Sequence, residues 1–87
     1  MKNFIMKEEV HVLITHDDDD DVLTTRVFST FGAMKQWIED GLKEVEDPHY
    51  KQDTKLVAAD LKQKGYGEAF GTIYLYECTK IISLEAL

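Results

Sequence analysis

The chain has 87 residues, 44% of them hydrophobic, with one proline and five glycines, which indicates one small globular domain and excludes a disordered or linker-rich chain. Its 17 acidic and 10 basic residues give a net charge of −7, which disfavours direct binding to nucleic acid or anionic lipid because both are negatively charged. The single cysteine permits no intramolecular disulfide, the apolar runs are shorter than the roughly 20 residues of a membrane span, and the first residues lack a signal-peptide pattern, so we expect a cytoplasmic protein.

Two strands are predicted near the N-terminus. Residues 9–15, EVHVLIT, alternate with period two and include β-branched residues, which is typical of a strand. We expect His11 to lie on the less buried face of this strand. Residues 22–28, VLTTRVF, form a second predicted strand. The aspartates Asp17–Asp21 lie between the two and have the length of a hairpin loop, where aspartate carboxylates accept hydrogen bonds from nearby backbone N–H groups.

Two helices are predicted in the middle of the chain. Residues 31–47 carry apolar side chains at intervals of three and four, and Pro48 ends this helix. Asp53 occupies the N-cap position of a second helix over residues 54–64, and Gly65 is placed to end it. The expected apolar stripe of the first helix is Phe31, Met34, Ile38, Leu42 and Val45, and that of the second is Leu56, Val57 and Leu61.

The C-terminal part is predicted to contain one connection and one strand. Residues 65–71, GYGEAFG, are interrupted by glycine and indicate a connection, and residues 71–81, GTIYLYECTKI, indicate the last strand. We therefore predict an α+β fold over residues 1–87. It is a small three-stranded sheet, antiparallel or mixed, with one or two helices on one face, in the order β-β-α-α-β.

The place of the last strand depends on the connection before it. If one long helix makes the connection, the last strand runs beside the first and parallel to the second. If two antiparallel helices intervene, the last strand instead extends the meander. Both arrangements stay open at the level of the sequence.

Alternation along the last strand separates its aromatic and aliphatic residues. If Ile73 and Leu75 face the helices, Tyr74 and Tyr76 lie on the open face of the sheet. An antiparallel sheet can leave one face in water. Two tyrosines there would suit a contact with a partner or with a second copy of the chain.

Two segments together resemble a pattern found in small phage and prophage proteins. These are RVFSTFGAMKQWIEDGL, residues 26–42, and TIYLYECTKI, residues 72–81. Proteins with this pattern combine a hairpin, a VFST turn into an amphipathic helix and a late strand. The resemblance implies an accessory protein of a phage or mobile element that acts on host machinery, with no catalytic residues to carry over. The matching residues are Val27, Phe28, Ser29, Thr30, Ile73, Tyr74, Tyr76 and Glu77.

The acidic excess lies in the first part of the chain. Residues 1–53 hold 13 acidic and 6 basic side chains, whereas residues 54–87 hold four of each. The tract Asp17–Asp21 has three interpretations: a solvated loop, a surface for a basic partner, or a divalent-cation site. It lacks the glycine of an EF-hand loop, and Phe28 occupies the position of the distal glutamate. The first helix adds a second acidic group, formed by Glu39, Asp40, Glu44, Glu46 and Asp47.

Patterns typical of metal binding and catalysis are missing from the sequence. The three histidines have no HxH or HExxH spacing, and Cys78 has no CxxC partner. Ser29 and Ser83 lie outside any nucleophile-elbow motif, and residues 65–71 lack a phosphate-binding glycine pattern. We therefore expect no metal, no cofactor and no enzymatic activity. The histidines concerned are His11, His16 and His49.

The charge distribution and the resemblance together predict a non-catalytic, acidic protein-interaction module. It would present a negative surface to a basic host protein, for example inhibiting a nucleic-acid-handling or defence enzyme by competing with its anionic ligand. One alternative is a homodimer formed through the open sheet face, and another is a domain that binds a divalent cation at the aspartate tract. The predicted partner-binding residues are Asp17, Asp18, Asp19, Asp20, Asp21, Glu39, Asp40, Glu44, Tyr74 and Tyr76.

Overall fold

The computed structural model describes the backbone of residues 4–18 and 21–85 and the side chains of residues 9–18 and 21–80. Within these residues the chain forms an antiparallel four-stranded sheet in the order β2-β1-β4-β3, with two helices packed on one face. The α+β prediction is therefore confirmed, whereas the prediction of three strands is wrong. The elements are β1 (Phe4–Asp17), β2 (Val22–Phe28), α1 (Phe31–Glu44), α2 (Tyr50–Lys64), β3 (Tyr66–Ala69) and β4 (Thr72–Glu85).

The additional strand is β3, which occupies the glycine-rich segment predicted to be a connection. It pairs with β4 from Tyr66 opposite Leu75 to Ala69 opposite Thr72. A Cβ built at Gly67 would lie 3.5 Å from Val57 of α2, an ordinary van der Waals distance, so β3 runs directly against the helix. Such a short strand is defined by its neighbours, because four residues with one glycine carry little period-two signal of their own.

The last strand lies beside the first, and both of its neighbours run antiparallel to it. The mixed-sheet alternative is therefore wrong, because the pairing of β1 with β2 is antiparallel as well. This position is the one expected for a single connecting helix, although α1 and α2 both intervene. The two helices form one layer over the sheet, so together they span the crossover that a single long helix was expected to make.

Helix α1 begins with a side-chain cap, as its sequence indicates. The backbone N–H of Ala33 donates to the hydroxyl oxygen of Thr30 at 3.0 Å. The helix ends at Glu44 rather than at residue 47, because Glu46 adopts a left-handed conformation with φ of 62°. Val45 is consequently the C-cap and is 56% exposed rather than part of the buried stripe.

Helix α2 begins at Tyr50, four residues before the predicted start. Asp53 lies in its first turn and is not the N-cap. The N-cap is His49, and among the described residues its side chain makes no capping hydrogen bond. The aromatic ring of Tyr50 packs against the core, so tertiary contact fixes this first turn. Gly65 ends the helix with φ of 80°, as predicted.

The core lies between the helices and one face of the sheet. Leu56, expected in the stripe of α2, is 57% exposed, and Thr54 is buried in that helix instead. Thr54 fits there because its hydroxyl donates to the Tyr50 carbonyl at 2.6 Å. The buried apolar cluster is Leu13, Met34, Ile38, Leu42, Val57, Leu61 and Tyr74.

The structure reverses the two predictions about sheet faces. His11 is 7% exposed and lies on the covered face, not on the less buried one. Tyr74 is buried and Tyr76 half-buried on that same face, while Leu75 is 45% exposed on the open one. Alternation determines which residues share a face, but only the helix layer determines which face is covered. The long tyrosine rings reach the helices, and Phe31 of α1 contacts the ring of Tyr76.

Beyond the sheet, β1 and β4 continue as a two-stranded ribbon. Strand β2 pairs with β1 only over residues 11–17, whereas β4 pairs with β1 over residues 4–17. Residues 4–10 and 79–85 are therefore paired only with each other among the described residues. This ribbon contributes to the longest dimension of the molecule, 56 Å against 25 and 22 Å.

Candidate functional site

A groove opens between α1 and the end of the sheet next to the aspartate tract. Its volume is about 540 Å³. Trp37, Ile38 and Leu42 of α1 form one wall. Apolar side chains on the rim are unusually exposed, because Val22, Val45 and Phe70 are each more than half accessible to solvent. The groove therefore offers apolar surface to a ligand while it remains open to water. Its other lining residues are Thr15, Asp17, Thr24, Gly41, Ala69, Thr72 and Tyr74.

The aspartate tract forms the turn of the β1–β2 hairpin beside this groove. The backbone N–H of Asp21 donates to the Asp17 carbonyl at 2.9 Å, and His16 Nε2 lies 2.8 Å from Asp21 Oδ1. The N–H of Asp18 donates to the Gly71 carbonyl at 3.0 Å, which ties this turn to the β3–β4 turn. Asp17 lines the groove, while Asp18 and Asp21 are exposed. The predicted site residues Asp19 and Asp20 lie outside the described residues.

Tyr74 in the groove lining is both buried and close to the negative charge of Asp17. Burial raises the pKa of the Tyr74 hydroxyl, and the neighbouring charge of Asp17 raises it further. Tyr74 is therefore neutral at physiological pH and can donate a hydrogen bond from the groove floor. On the α1 wall of the groove, the guanidinium carbon of Arg26 lies 4.7 Å from the ring centroid of Trp37, so this indole already contacts one cation.

The acidic residues of α1 do not line the groove. Glu44 is exposed and is adjacent in sequence to the lining residue Val45. Glu39 is half-buried and Asp40 exposed, and neither lines the groove. The carboxylate of Asp40 instead accepts a hydrogen bond from the Gln36 side-chain amide at 3.0 Å.

Two further carboxyl groups interact just beyond α1. A hydrogen bond with Asp53, followed by one from the His49 backbone N–H, lowers the pKa of Asp47. The same Asp47 hydrogen bond raises the pKa of Asp53, as does the charge of its neighbour. The two carboxyl groups therefore titrate as an interacting pair whose pKa values are moved in opposite directions.

A second polar cluster lies at the base of the ribbon, where the four-stranded sheet ends. It consists of Glu9, His11 and Cys78, whose ligand-capable atoms all lie within 4.8 Å of one another. His11 and Cys78 are directly opposite across β1 and β4. His11 Nδ1 lies 2.7 Å from the Tyr76 hydroxyl, and its Nε2 lies 3.8 Å from Glu9 Oε2. Tyr76, predicted to be a partner-binding residue on the open sheet face, belongs to this cluster on the covered face instead.

Burial, together with a hydrogen bond to Cys78, raises the pKa of Tyr76 to about 12. This cluster could not be predicted from sequence spacing, since Cys78 is 67 residues from His11. A usable signal exists only once β1 and β4 are paired in register, when Glu9, His11 and Cys78 fall on one face.

The open face of the sheet carries a third feature, a set of exposed apolar side chains. Leu23 is 68%, Val27 63%, Tyr66 55% and Leu75 45% exposed. The strand alternation places all four on the face away from the helices. Half-buried residues between them continue the apolar surface, namely Val10, Val12, Ile14 and Ile73.

Comparisons with known proteins give no external indication of function, because no family model, curated protein or solved structure matches this chain. The described residues contain no helix that is both long and apolar enough to cross a membrane.

Proposed function

We propose that this protein is a non-catalytic interaction module that binds a basic segment of a partner protein in the groove beside the aspartate turn. One observation supports the proposal above the others: an open groove with exposed apolar side chains on its rim has the carboxylate residue Asp17 in its lining. The exposed residues Asp18 and Glu44 are adjacent in sequence to the lining residues Asp17 and Val45.

The chemistry of the groove suits a segment that is both cationic and apolar. Lysine and arginine bury their methylene stems along apolar surface and keep their charged ends in water. The exposed rim, Val22, Val45 and Phe70, would contact the stems and any apolar anchor. Asp18 and Glu44 would receive the charged ends, and an arginine would be favoured because its guanidinium pairs with carboxylates in a bidentate manner.

The expected biological setting is that of a phage or mobile-element accessory protein in the cytoplasm. Its partner would be a basic host protein, such as a nucleic-acid-handling or defence enzyme, whose anionic ligand the module would displace. The module itself would contact neither nucleic acid nor a membrane, because its net charge of −7 repels both.

Trp37 provides a direct test, since it is the single tryptophan of the chain and lines the groove. We would titrate the protein with a peptide of arginine and leucine and with a matched peptide of glutamate and leucine. The basic peptide should change Trp37 emission in a saturable manner and bind more weakly as salt rises. The acidic peptide should have no effect. Equal responses to both peptides would contradict the proposal.

A pair of variants with equal charge change locates the contact. Asp17→Asn with Asp18→Asn should weaken binding of the basic peptide several-fold. Glu68→Gln with Glu77→Gln removes the same charge from the exposed part of β3 and β4 and should leave binding almost unchanged. The same two variants, used as baits in a bacterial lysate at low and moderate salt, would then identify a host protein that depends on the turn.

A second function is favoured by the open sheet face, where we propose self-association with a second copy of the chain. A two-fold interface places one patch against itself, which an apolar patch tolerates and a cluster of one charge does not. Among the side chains that the structure describes, the charged ones on this face are Glu68 and Glu77, at β3 and β4, and those at the centre are apolar or neutral. With β1 strands antiparallel across the interface, the two aspartate turns would lie at opposite ends.

The size of this face is comparable to that of a small dimer interface. Three strands with seven residues in the sheet and β3 with four, at about 4.8 Å between strands and about 3.4 Å per residue, give roughly 410 Å². The ribbon adds two strands of seven residues, or roughly 230 Å². The total of roughly 640 Å² is somewhat below the roughly 800 Å² that each partner contributes to a standard interface.

Sedimentation over a concentration series tests the dimer. Leu23→Lys on the open face should produce a monomer, whereas Leu56→Lys, an equally exposed leucine of α2 with the same charge change, should leave the dimer intact. Added salt should not dissociate an interface of this kind, which separates it from an ionic contact. A wild-type monomer at high concentration would contradict self-association.

A further inference from the structure

We propose that Glu9, His11 and Cys78 form a zinc-binding site at the base of the ribbon, with three protein ligands and one position open to solvent. The ligands would be a carboxylate oxygen of Glu9, Nε2 of His11 and the thiolate of Cys78. This site is independent of the groove and of the open sheet face, since its residues belong to neither.

The arrangement of the three side chains is close to that of a bound ion. In a tetrahedral zinc site with metal bonds of about 2.0–2.3 Å, neighbouring ligand atoms lie about 3.3–3.8 Å apart. His11 Nε2 and Glu9 Oε2 are already 3.8 Å apart, and all three ligand atoms lie within 4.8 Å. Glu9 and Cys78 are exposed, so rotation of their side chains can close the remaining distance of about 1 Å.

His11 is oriented in the way that metal-binding histidines usually are. Its ring is 7% exposed and is held between Tyr76, stacked at a centroid distance of 5.9 Å, and Phe31, edge-on at 6.3 Å. Nδ1 lies 2.7 Å from the Tyr76 hydroxyl. When Nδ1 donates this hydrogen bond, Nε2 keeps its lone pair and faces Glu9, which is the tautomer that a metal requires. Tyr76 is therefore a positioning residue.

The donor set selects the class of metal. One nitrogen, one sulfur and one oxygen donor suit zinc and other borderline transition metals, whereas calcium and magnesium prefer oxygen ligands alone. The aspartate turn would be the competing site for those harder cations. It lies about 20 Å away, because six residues of β1 separate Asp17 from His11.

The site would link β1 and β4 at the point where β2 no longer pairs with β1. His11 is the last residue of β1 that pairs with β2, and beyond it only the ribbon continues. A two-stranded ribbon is marginally stable in water by itself. An ion bound by β1 and β4 together would hold the strands in register at this point, and a small domain gains proportionately from such a link.

Cobalt binding to the full chain tests the proposal, with the protein stripped of metal and kept reduced. Co²⁺ should bind one ion per chain and give the near-ultraviolet charge-transfer band of a cobalt–thiolate bond, together with the visible bands of tetrahedral cobalt. Zn²⁺ should abolish both signals by displacement. Binding without the thiolate band would overturn the site.

Substitutions at the exposed ligands Glu9 and Cys78 test the site without removing the buried His11, whose loss could destabilise the fold. Cys78→Ser should abolish the charge-transfer band and Glu9→Gln should weaken binding, both with circular dichroism unchanged. Tyr76→Phe retains the ring but removes the hydroxyl, and it should reduce affinity about 10–100-fold. Asp18→Asn and His49→Gln are the controls and should bind as wild type does. Cobalt bound equally by Cys78→Ser and wild type, or lost in Asp18→Asn, would overturn the proposal.

Discussion

The two ends of the covered face of β1 use polar residues in opposite ways. At Asp17 the strand enters the hairpin turn, where Asp18 and Asp21 are exposed to solvent. At His11, six residues away on the same face, one imidazole is enclosed by aromatic rings and held by a single short hydrogen bond. Leu13, fully buried, separates them. Charge density is visible in a sequence, whereas convergence of single polar groups from distant strands is not.

The largest effect is expected from removing the apolar residue between the two ends. Leu13→Ala leaves a cavity beneath both helices and should reduce the free energy of unfolding by about 2–5 kcal/mol, measured by denaturant titration. Leu23→Ala, at a position 68% exposed on the neighbouring strand, should change it by less than about 0.5 kcal/mol. Similar losses in both variants would mean that the open sheet face is also buried in solution.

A smaller effect should distinguish the enclosed end from the solvated one. Tyr76→Phe leaves His11 Nδ1 buried without its hydroxyl partner, which should cost about 1–3 kcal/mol of unfolding free energy in the metal-free protein. Tyr66→Phe removes a hydroxyl from a ring that is 55% exposed and should cost almost nothing. If the two variants unfold at the same denaturant concentration, the hydrogen bond at the enclosed end does not contribute to stability.

At the solvated end, removing a charged group should stabilise the protein, whereas removing the hydroxyl at the enclosed end should destabilise it. Asp18→Asn removes one of five like charges that are consecutive in sequence but retains the backbone N–H that donates to the Gly71 carbonyl. It should raise the midpoint of thermal unfolding slightly at low ionic strength, and the gain should vanish as salt screens the repulsion. A gain that persists in high salt would indicate that the residue acts through local backbone conformation.

The smallest effect concerns the Asp47–Asp53 pair and depends on pH. The raised pKa of Asp53 means that its favourable hydrogen bond is complete at low pH and is lost as pH rises through that pKa. Asp53→Asn supplies a permanent donor, so its midpoint of thermal unfolding should exceed that of wild type at neutral pH. The difference should disappear as pH falls through the raised pKa of Asp53. An unchanged difference across this range would rule out a shared proton.

Local signals in the chain were sufficient for several elements. The alternation of residues 9–15 and 22–28 predicted the β1–β2 hairpin, and Gly65 predicted the end of α2. Apolar spacing predicted the three residues of α1 that are buried, Met34, Ile38 and Leu42. These features depend on residues a few positions apart, because a helix turn, a strand pleat and a cap are each formed by neighbours in the chain.

Features that depend on contacts between distant parts of the chain could not be predicted from local pattern. Strand β3 exists because β4 offers it an edge, and α2 starts early because Tyr50 packs on the core. The helix layer covers the face of Tyr74 and His11, although the alternation fits either face equally well. The amino-acid pattern thus determined most of the helices and strands, the N-cap of α1, the end of α2 and the charge of this protein. Packing of the helix layer on the sheet decided which face is covered, and pairing of β1 with β4 brought together polar groups more than 60 residues apart, such as His11 and Tyr76. Burial is a property of the assembled layers rather than of any one segment, so neither outcome could be read from local pattern.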